Sequence, residues 1–130
     1  MLYAIESTRS LPEIEQALQD AAARHQFGIL AIHDLRQTMQ KKGIELDMDC
    51  RIYEVCNPVQ AKKVLQADGA VSTALPCRIS VYGSEGGYKI ATLLPTVLMK
   101  GFDAPALSQV AQEVETVIRA MMQEAAGSQR

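Results

Sequence analysis

The sequence has few aromatic residues and little net charge, and each scarcity excludes a class of function. It contains no tryptophan and only two phenylalanines among 130 residues, which leaves little material for a surface on which nucleic-acid bases stack. Its formal net charge is -2, whereas binding to nucleic-acid phosphates requires a basic surface. We therefore expect no nucleic-acid partner.

Long apolar runs are also missing. No run approaches the roughly 18 residues that a membrane-spanning helix needs, and residues 1–6 lack the basic segment and apolar core of a signal peptide. The chain has three cysteines, an odd number that a framework of disulfides cannot use completely. These features predict a cytoplasmic protein with reduced thiols and no membrane partner.

The remaining composition is ordinary for a globular domain. Hydrophobic residues make up 48% of the chain and charged residues 22%. A chain of this length suits one domain and buries roughly two thirds of its unfolded surface, so it needs no disulfide or metal to fold. Repeats, low-complexity segments and linkers are absent from the sequence. We predict a single domain that spans residues 1–130.

Five segments have the apolar patterning of β-strands. They are residues 2–6, 27–33, 50–56, 77–82 and 88–94. The segment at 27–33 is apolar at both odd and even positions, which predicts a strand covered on both faces. The last two segments flank a glycine-rich turn and are predicted to form an antiparallel hairpin. After Pro95, residues 96–99 are predicted to be a further extended apolar piece.

Three helices have recognisable starts. Ser10-Leu11-Pro12-Glu13 has the form of a capping box, in which serine and glutamate side chains each satisfy a free backbone amide. Asn57 is predicted to cap a second helix that begins at Pro58. Proline suits this position because the backbone N–H that it lacks would have no partner within the helix there. The long third helix is predicted to begin at Asp103-Ala104-Pro105.

The segment that follows residue 33 has two interpretations. Asp34 can cap a short helix that ends at Gly43, or residues 37–49 form a mobile basic loop. We favour a short helix followed by a loop. Because helices and strands are mixed and the hairpin requires antiparallel pairing, the predicted fold class is α+β.

Two motifs collect the side chains that can do chemistry. In Glu54-Val55-Cys56-Asn57-Pro58 and in Leu75-Pro76-Cys77-Arg78, a cysteine lies where an apolar strand meets a proline. Cys56 precedes a helix N-terminus and Cys77 adjoins Arg78, and both settings favour a thiolate. For either cysteine alone, however, the favoured interpretation is that it fills a tight position in the core.

The two polar side chains of the first motif also have alternative roles. Glu54 either lies on a solvated face or points inward with Cys56, in which case a basic residue such as Arg51 or Arg78 must pair with it. The solvated face is slightly favoured. Helix capping explains Asn57 adequately, so its contact with a ligand is the less favoured interpretation.

A metal centre or a thiol enzyme is less strongly indicated. Cys56, Cys77 and His33 are suitable metal ligands by residue type, but their spacing does not require a metal site. A cysteine nucleophile needs a base with an orienting partner, and neither His25 nor His33 has an evident one in the sequence. No motif identifies a cofactor.

The two cysteine motifs resemble those of the bacterial and archaeal domain-of-unknown-function-302 (DUF302) family. The resemblance rests on Glu54-Val55-Cys56-Asn57-Pro58, on Ala61 and Val64-Leu65, on Leu75-Pro76-Cys77-Arg78-Ile79, and on the strand that leads to Asp34-Leu35. It covers roughly residues 27–95, and the positions that match the recurring pattern are Cys56, Asn57, Pro58, Pro76, Cys77 and Arg78.

The resemblance implies a curved, mainly antiparallel sheet packed against two long helices and one shorter helix. This layout is similar to that of TATA-binding-protein-like folds, and such domains are often dimeric. The family has no established activity, so the resemblance implies no catalytic residue.

We therefore expect a homodimeric module that binds a small ligand in a pocket between sheet and helices. The candidate binding residues are Glu54, Cys56, Asn57, Cys77 and Arg78. Met121-Met122 is consistent with adaptable packing or with a subunit interface, where methionine is enriched. The alternative is a structural or protein-interaction module in which Glu54 is exposed and Cys56 is fully packed.

Overall fold

A five-stranded antiparallel sheet forms the centre of the computed structural model, which describes residues 1–102 and 104–127. The strands are β1 (Leu2–Ser7), β2 (Gly28–Asp34), β3 (Cys50–Cys56), β4 (Cys77–Ser84) and β5 (Gly87–Leu93). They are arranged in the order β1-β5-β4-β3-β2, and each neighbouring pair is antiparallel. The sheet is not closed, so β1 and β2 are its edge strands.

Helices connect these strands and follow the last of them, and the two longest helices cover one face of the sheet. The helices are α1 (Leu11–Arg24), α2 (Leu35–Lys41), α3 (Pro58–Ala67), α4 (Pro95–Leu98) and α5 (Pro105–Ala126), with 3-10 turns at Gly69–Ala74 and Met99–Gly101. The two long helices, α1 and α5, pack together over the central strands. This arrangement confirms the predicted α+β class. Within residues 1–102 and 104–127, no helix has both the length and the apolar character that crossing a membrane requires.

The predicted helix starts are confirmed where the structure describes them. Ser10 and Glu13 form the reciprocal capping box of α1. The Asp34 carboxylate accepts a hydrogen bond from the Gln37 amide and caps α2, so the short helix is the correct interpretation of this segment. Asp103 and residues 128–130 lie outside the described residues, and α5 begins at Pro105.

The predicted extended piece at residues 96–99 is wrong, because the chain forms α4 and then a 3-10 turn there. Leu94 has the extended conformation that a following proline imposes. Pro95 then supplies the backbone angle of a first helical residue, and the Val97 amide donates to the Leu94 carbonyl. Proline at this position therefore starts a turn and does not prolong the strand.

The prediction that β2 is covered on both faces is also wrong. Leu30 and Ile32 are 62% and 40% exposed. Both lie on an edge strand, and a register shift between Ile29 and Ala31 displaces Leu30 from the regular alternation. The apolar run reflects the bulge and the edge position, and not a second covering layer.

The core lies between the covered face of the sheet and the α1–α5 layer. Tyr53 and Val55 of β3 are fully buried there, as the alternation of the strand predicts. Met121 and Met122 are fully buried in the same cluster. The interpretation of this methionine pair as a subunit interface is therefore wrong, because neither side chain reaches the surface.

Side chains at and just after the end of β1 donate hydrogen bonds to the C-terminal end of α5. The Ser7 hydroxyl donates to the Ala126 carbonyl at 2.7 Å, and the Arg9 guanidinium donates to the carbonyls of Glu124 and Ala125 at 3.3 and 3.2 Å. A cation at this position also opposes the negative end of the helix dipole. These contacts hold α5 against the sheet edge, and the opposite half of α5 contributes to the pocket described below.

We predict that Gly87→Ala destabilises the fold by about 2 kcal/mol, because the added Cβ would overlap the backbone carbonyl oxygen of Ser7. The matched control is Gly69→Ala, where no heavy atom lies within 4 Å of the new Cβ. Urea unfolding monitored by circular dichroism measures both effects. Equal midpoints for Gly87→Ala and the wild-type protein would contradict this account of the β1–β5 contact.

Candidate functional site

A small pocket lies where the end of β3 and the start of β4 meet α3 and α5. Its cavity volume is about 50 Å³. The walls are mainly apolar and include Val55, Ala61, Val64, Pro76, Met99 and Val114. No acidic or basic side chain lines it among the described residues, so the pocket suits uncharged groups.

The antiparallel pairing of β3 and β4 brings the two cysteine motifs together. Val55 lies directly opposite Cys77 in the register, so the last residue of β3, Cys56, is adjacent to the first residue of β4. Cys56, Asn57 and Cys77 all line the pocket. Three of the five candidate residues predicted from the sequence are thus close together.

Glu54 and Arg78 do not line this pocket. Arg78 follows Cys77 in β4, and successive side chains of a strand point to opposite faces. It lies directly opposite Glu54 on the open face of the sheet, with its Nε 3.9 Å from Glu54 Oε2. These two candidate residues therefore lie opposite each other on the open face and are not among the residues that line the pocket.

Glu54 has two partners on the open face. His33 Nε2 lies 3.0 Å from the same carboxylate oxygen that faces Arg78. The Glu54 side chain is 21% exposed, which places it on the solvated face that the sequence slightly favoured. Glu54 is therefore a paired, partly exposed carboxylate. It does not line the pocket that contains the thiols.

Both pocket thiols are held in their neutral form. Burial raises the pKa of Cys77 to about 11, and the neighbouring Cys56 contributes to the same direction. Burial also raises the pKa of Cys56. The structure reverses the expectation that these positions stabilise thiolates, since burial disfavours the charged form.

The helix N-terminus beside Cys56 is already occupied. The Asn57 side-chain oxygen accepts hydrogen bonds from the amides of Val59 and Gln60, at 3.0 and 3.2 Å. These amides would otherwise be available to an anion at the start of α3. Asn57 therefore caps the helix as predicted, and it also forms part of the pocket wall.

Gln60 is a pocket residue that the sequence reasoning missed. Its Nε2 donates to Glu113 Oε2 of α5 at 2.9 Å, whereas its Oε1 is buried and receives no hydrogen bond from the described residues. A signal was present in the sequence, because Gln60 is one helical turn after Asn57 and one turn before Val64. It is the polar position on the inner face of α3.

Neither histidine lines the pocket. His33 contacts Glu54 on the open face, and His25 Nε2 contacts Glu124 Oε2 at 2.7 Å near the end of α5. In the described part of the chain, no three His, Cys, Asp or Glu side chains lie together in a way that could hold a metal ion.

The sheet order and the helical layer define the class of protein, a small α+β domain with an open antiparallel sheet. The sequence matches the family described as Domain of unknown function DUF302 over residues 3–125, and the chain belongs to this family. The resemblance seen in the cysteine motifs is therefore confirmed, and it extends beyond residues 27–95 in both directions. None of the curated proteins matches the sequence.

A solved structure has the same fold. The chain is similar to an uncharacterized conserved protein DUF302 from Bacillus stearothermophilus, with 29% sequence identity and a TM-score of 0.90. The similarity covers 95% of this chain and 97% of that chain. The likeness thus includes the strands and helices that surround the pocket.

We predict that Cys77 reacts with iodoacetamide at pH 8 about a hundredfold more slowly in the folded than in the urea-unfolded protein. The reason is that only the thiolate reacts and burial raises the pKa of this thiol to about 11. Peptide mass spectrometry at timed intervals measures the rate at each cysteine. The folded rate should still rise with pH above 9, and a folded rate equal to the unfolded one would contradict the enclosed site.

Proposed function

We propose that this DUF302 domain is a binding module for a small, uncharged and mainly apolar molecule. The observation that carries the proposal is the pocket itself, in which two neutral thiols and two side-chain amides lie among apolar walls, with no charged side chain from the described residues. Apolar pockets with a few polar groups are the usual form of small-molecule sites. Cys56, Asn57 and Cys77 would contact the ligand, whereas Glu54 and Arg78 would not.

The size of the pocket limits the ligand. A volume of about 50 Å³ is well below the roughly 150 Å³ of an engineered cavity that binds benzene. A larger molecule therefore requires the walls to move. Met99 is suited to this role because its unbranched side chain repacks easily, and it forms part of the lining.

Xenon tests the pocket directly, since it binds apolar cavities without any hydrogen bond. We predict that xenon shifts the backbone amide signals of α3 and of the pocket-lining half of α5 in NMR spectra. Ala61→Leu, which places a larger side chain in the lining, should abolish these shifts.

The control is Ala67→Leu, which lies on the same helix but is exposed and outside the pocket. It should leave the xenon response unchanged. An absent response in the wild-type protein, or an unchanged one in Ala61→Leu, would refute the binding pocket.

We propose in addition that two copies form a homodimer through the open face of the sheet. Leu2 and Leu93 lie opposite each other on this face and are 60% and 47% exposed. Arg78 and Glu54 on the same face provide both signs of charge, so two copies related by a twofold axis can pair opposite charges. This surface is distinct from the pocket.

Light scattering after size exclusion tests the dimer. We predict a wild-type dimer and a monomeric Leu93→Lys variant, because a charge replaces apolar contact at the interface. Leu65→Lys is the matched control, since Leu65 is 40% exposed on α3 and should not affect assembly. A wild-type monomer, or a Leu93→Lys dimer, would exclude this interface.

A structural or interaction module remains the alternative function. It requires an exposed Glu54 and a fully packed Cys56, whereas Glu54 is paired with His33 and Cys56 is only partly buried. A thiol enzyme has less support, because the pKa of both pocket thiols is raised and His33 contacts Glu54. The free state of all three cysteines agrees with the proposed cytoplasmic location.

A further inference from the structure

The side-chain amide of Gln60 has an orientation that its partner dictates. The carboxylate of Glu113 lies 2.9 Å from Gln60 Nε2 and 3.4 Å from Gln109 Nε2. A carboxylate accepts hydrogen bonds and an amide oxygen cannot donate one. The NH₂ group of Gln60 must therefore face Glu113, and Oε1 is left on the other side of the amide.

The unpaired oxygen, Gln60 Oε1, belongs to a residue that lines the pocket. This atom is buried without a hydrogen-bond donor among the described residues. The lining offers apolar side chains, the weakly donating thiols of Cys56 and Cys77, and the side-chain amide of Asn57, and none of these donates to Gln60 Oε1. An unpaired buried acceptor is costly, so a molecule that supplies a donor gains more here than in water-exposed surroundings.

We propose that the pocket selects an uncharged, mainly aliphatic molecule with one hydroxyl or N–H group, whose hydrogen bond Gln60 Oε1 accepts. The inference rests on the proposed binding function and adds the class of ligand. A carboxylate or ammonium group is disfavoured, because no charged side chain of the described lining would pair with it. An ether or a ketone cannot satisfy Gln60 Oε1, because it offers only acceptors.

Two isomeric probes, one with a hydrogen-bond donor and one without, test this selectivity. The probes 1-butanol and methyl propyl ether have the same atoms and nearly the same size, so both require the same movement of the pocket walls, but only the alcohol has a donor. We expect the wild-type protein to bind 1-butanol about fivefold to tenfold more tightly, as one added neutral hydrogen bond implies. Titrations followed by NMR shifts of the α3 amides give both dissociation constants.

The variant Gln60→Met removes the acceptor while keeping an unbranched side chain of similar length. It should bind the two isomers with equal affinity, mainly through weaker binding of the alcohol. Gln109→Met is the matched control, because Gln109 also donates to Glu113 but does not line the pocket. This control should keep the preference for the alcohol.

The outcomes distinguish the selectivity from the binding function. If both isomers bind the wild-type protein equally and Ala61→Leu abolishes both, water already satisfies Gln60 and the selectivity is overturned, while the binding function stands. A preference that survives in Gln60→Met, or disappears in Gln109→Met, also overturns it. If neither isomer nor xenon shifts the pocket amides, the binding function fails as well.

Discussion

The pairing of β3 with β4 is the constraint on which the candidate site depends. Their antiparallel register places Val55 opposite Cys77, so the two proline-flanked motifs meet at one end of the sheet. Buried backbone groups require such pairing, and the full burial of Tyr53 and Ile79 on the covered face holds the register in place. A shift of one residue would exchange the two faces and remove the thiols from the pocket.

The same alternation that builds the pocket also keeps charge out of it. Cys77 and Arg78 are neighbours in sequence, yet one side chain joins the pocket and the other pairs with Glu54 on the open face. The thiols consequently lie among apolar groups, and burial raises the pKa of both. The neutral pocket supports the proposed recognition of an uncharged molecule over nucleophilic chemistry, which requires a thiolate.

The polar groups that remain in the pocket are oriented by α3 and α5. Asn57 uses its side-chain oxygen to cap α3, and this leaves no free amide there for an anion. The Glu113 carboxylate of α5 accepts a hydrogen bond from the NH₂ group of Gln60, and Gln60 Oε1 has no donor among the described residues. In the proposed binding function, the packing of these two helices thus sets which kind of hydrogen bond a ligand would make.

The sequence by itself determined the order of the five strands and of α1, α2, α3 and α5, the caps at Ser10, Asp34 and Asn57, and, through its two cysteine motifs, the family. Periodicity, capping and short motifs are local properties of the chain. The sequence also indicated that the two cysteine motifs belong to one site. Only the tertiary structure decided that Leu30 is exposed and that Glu54 and Arg78 lie outside the pocket that contains the thiols. It also decided that Gln60 donates to Glu113, 53 residues further along the chain. These outcomes depend on which strand lies at the edge and on which faces and helices come into contact, and neither can be read from the spacing of residues along one segment.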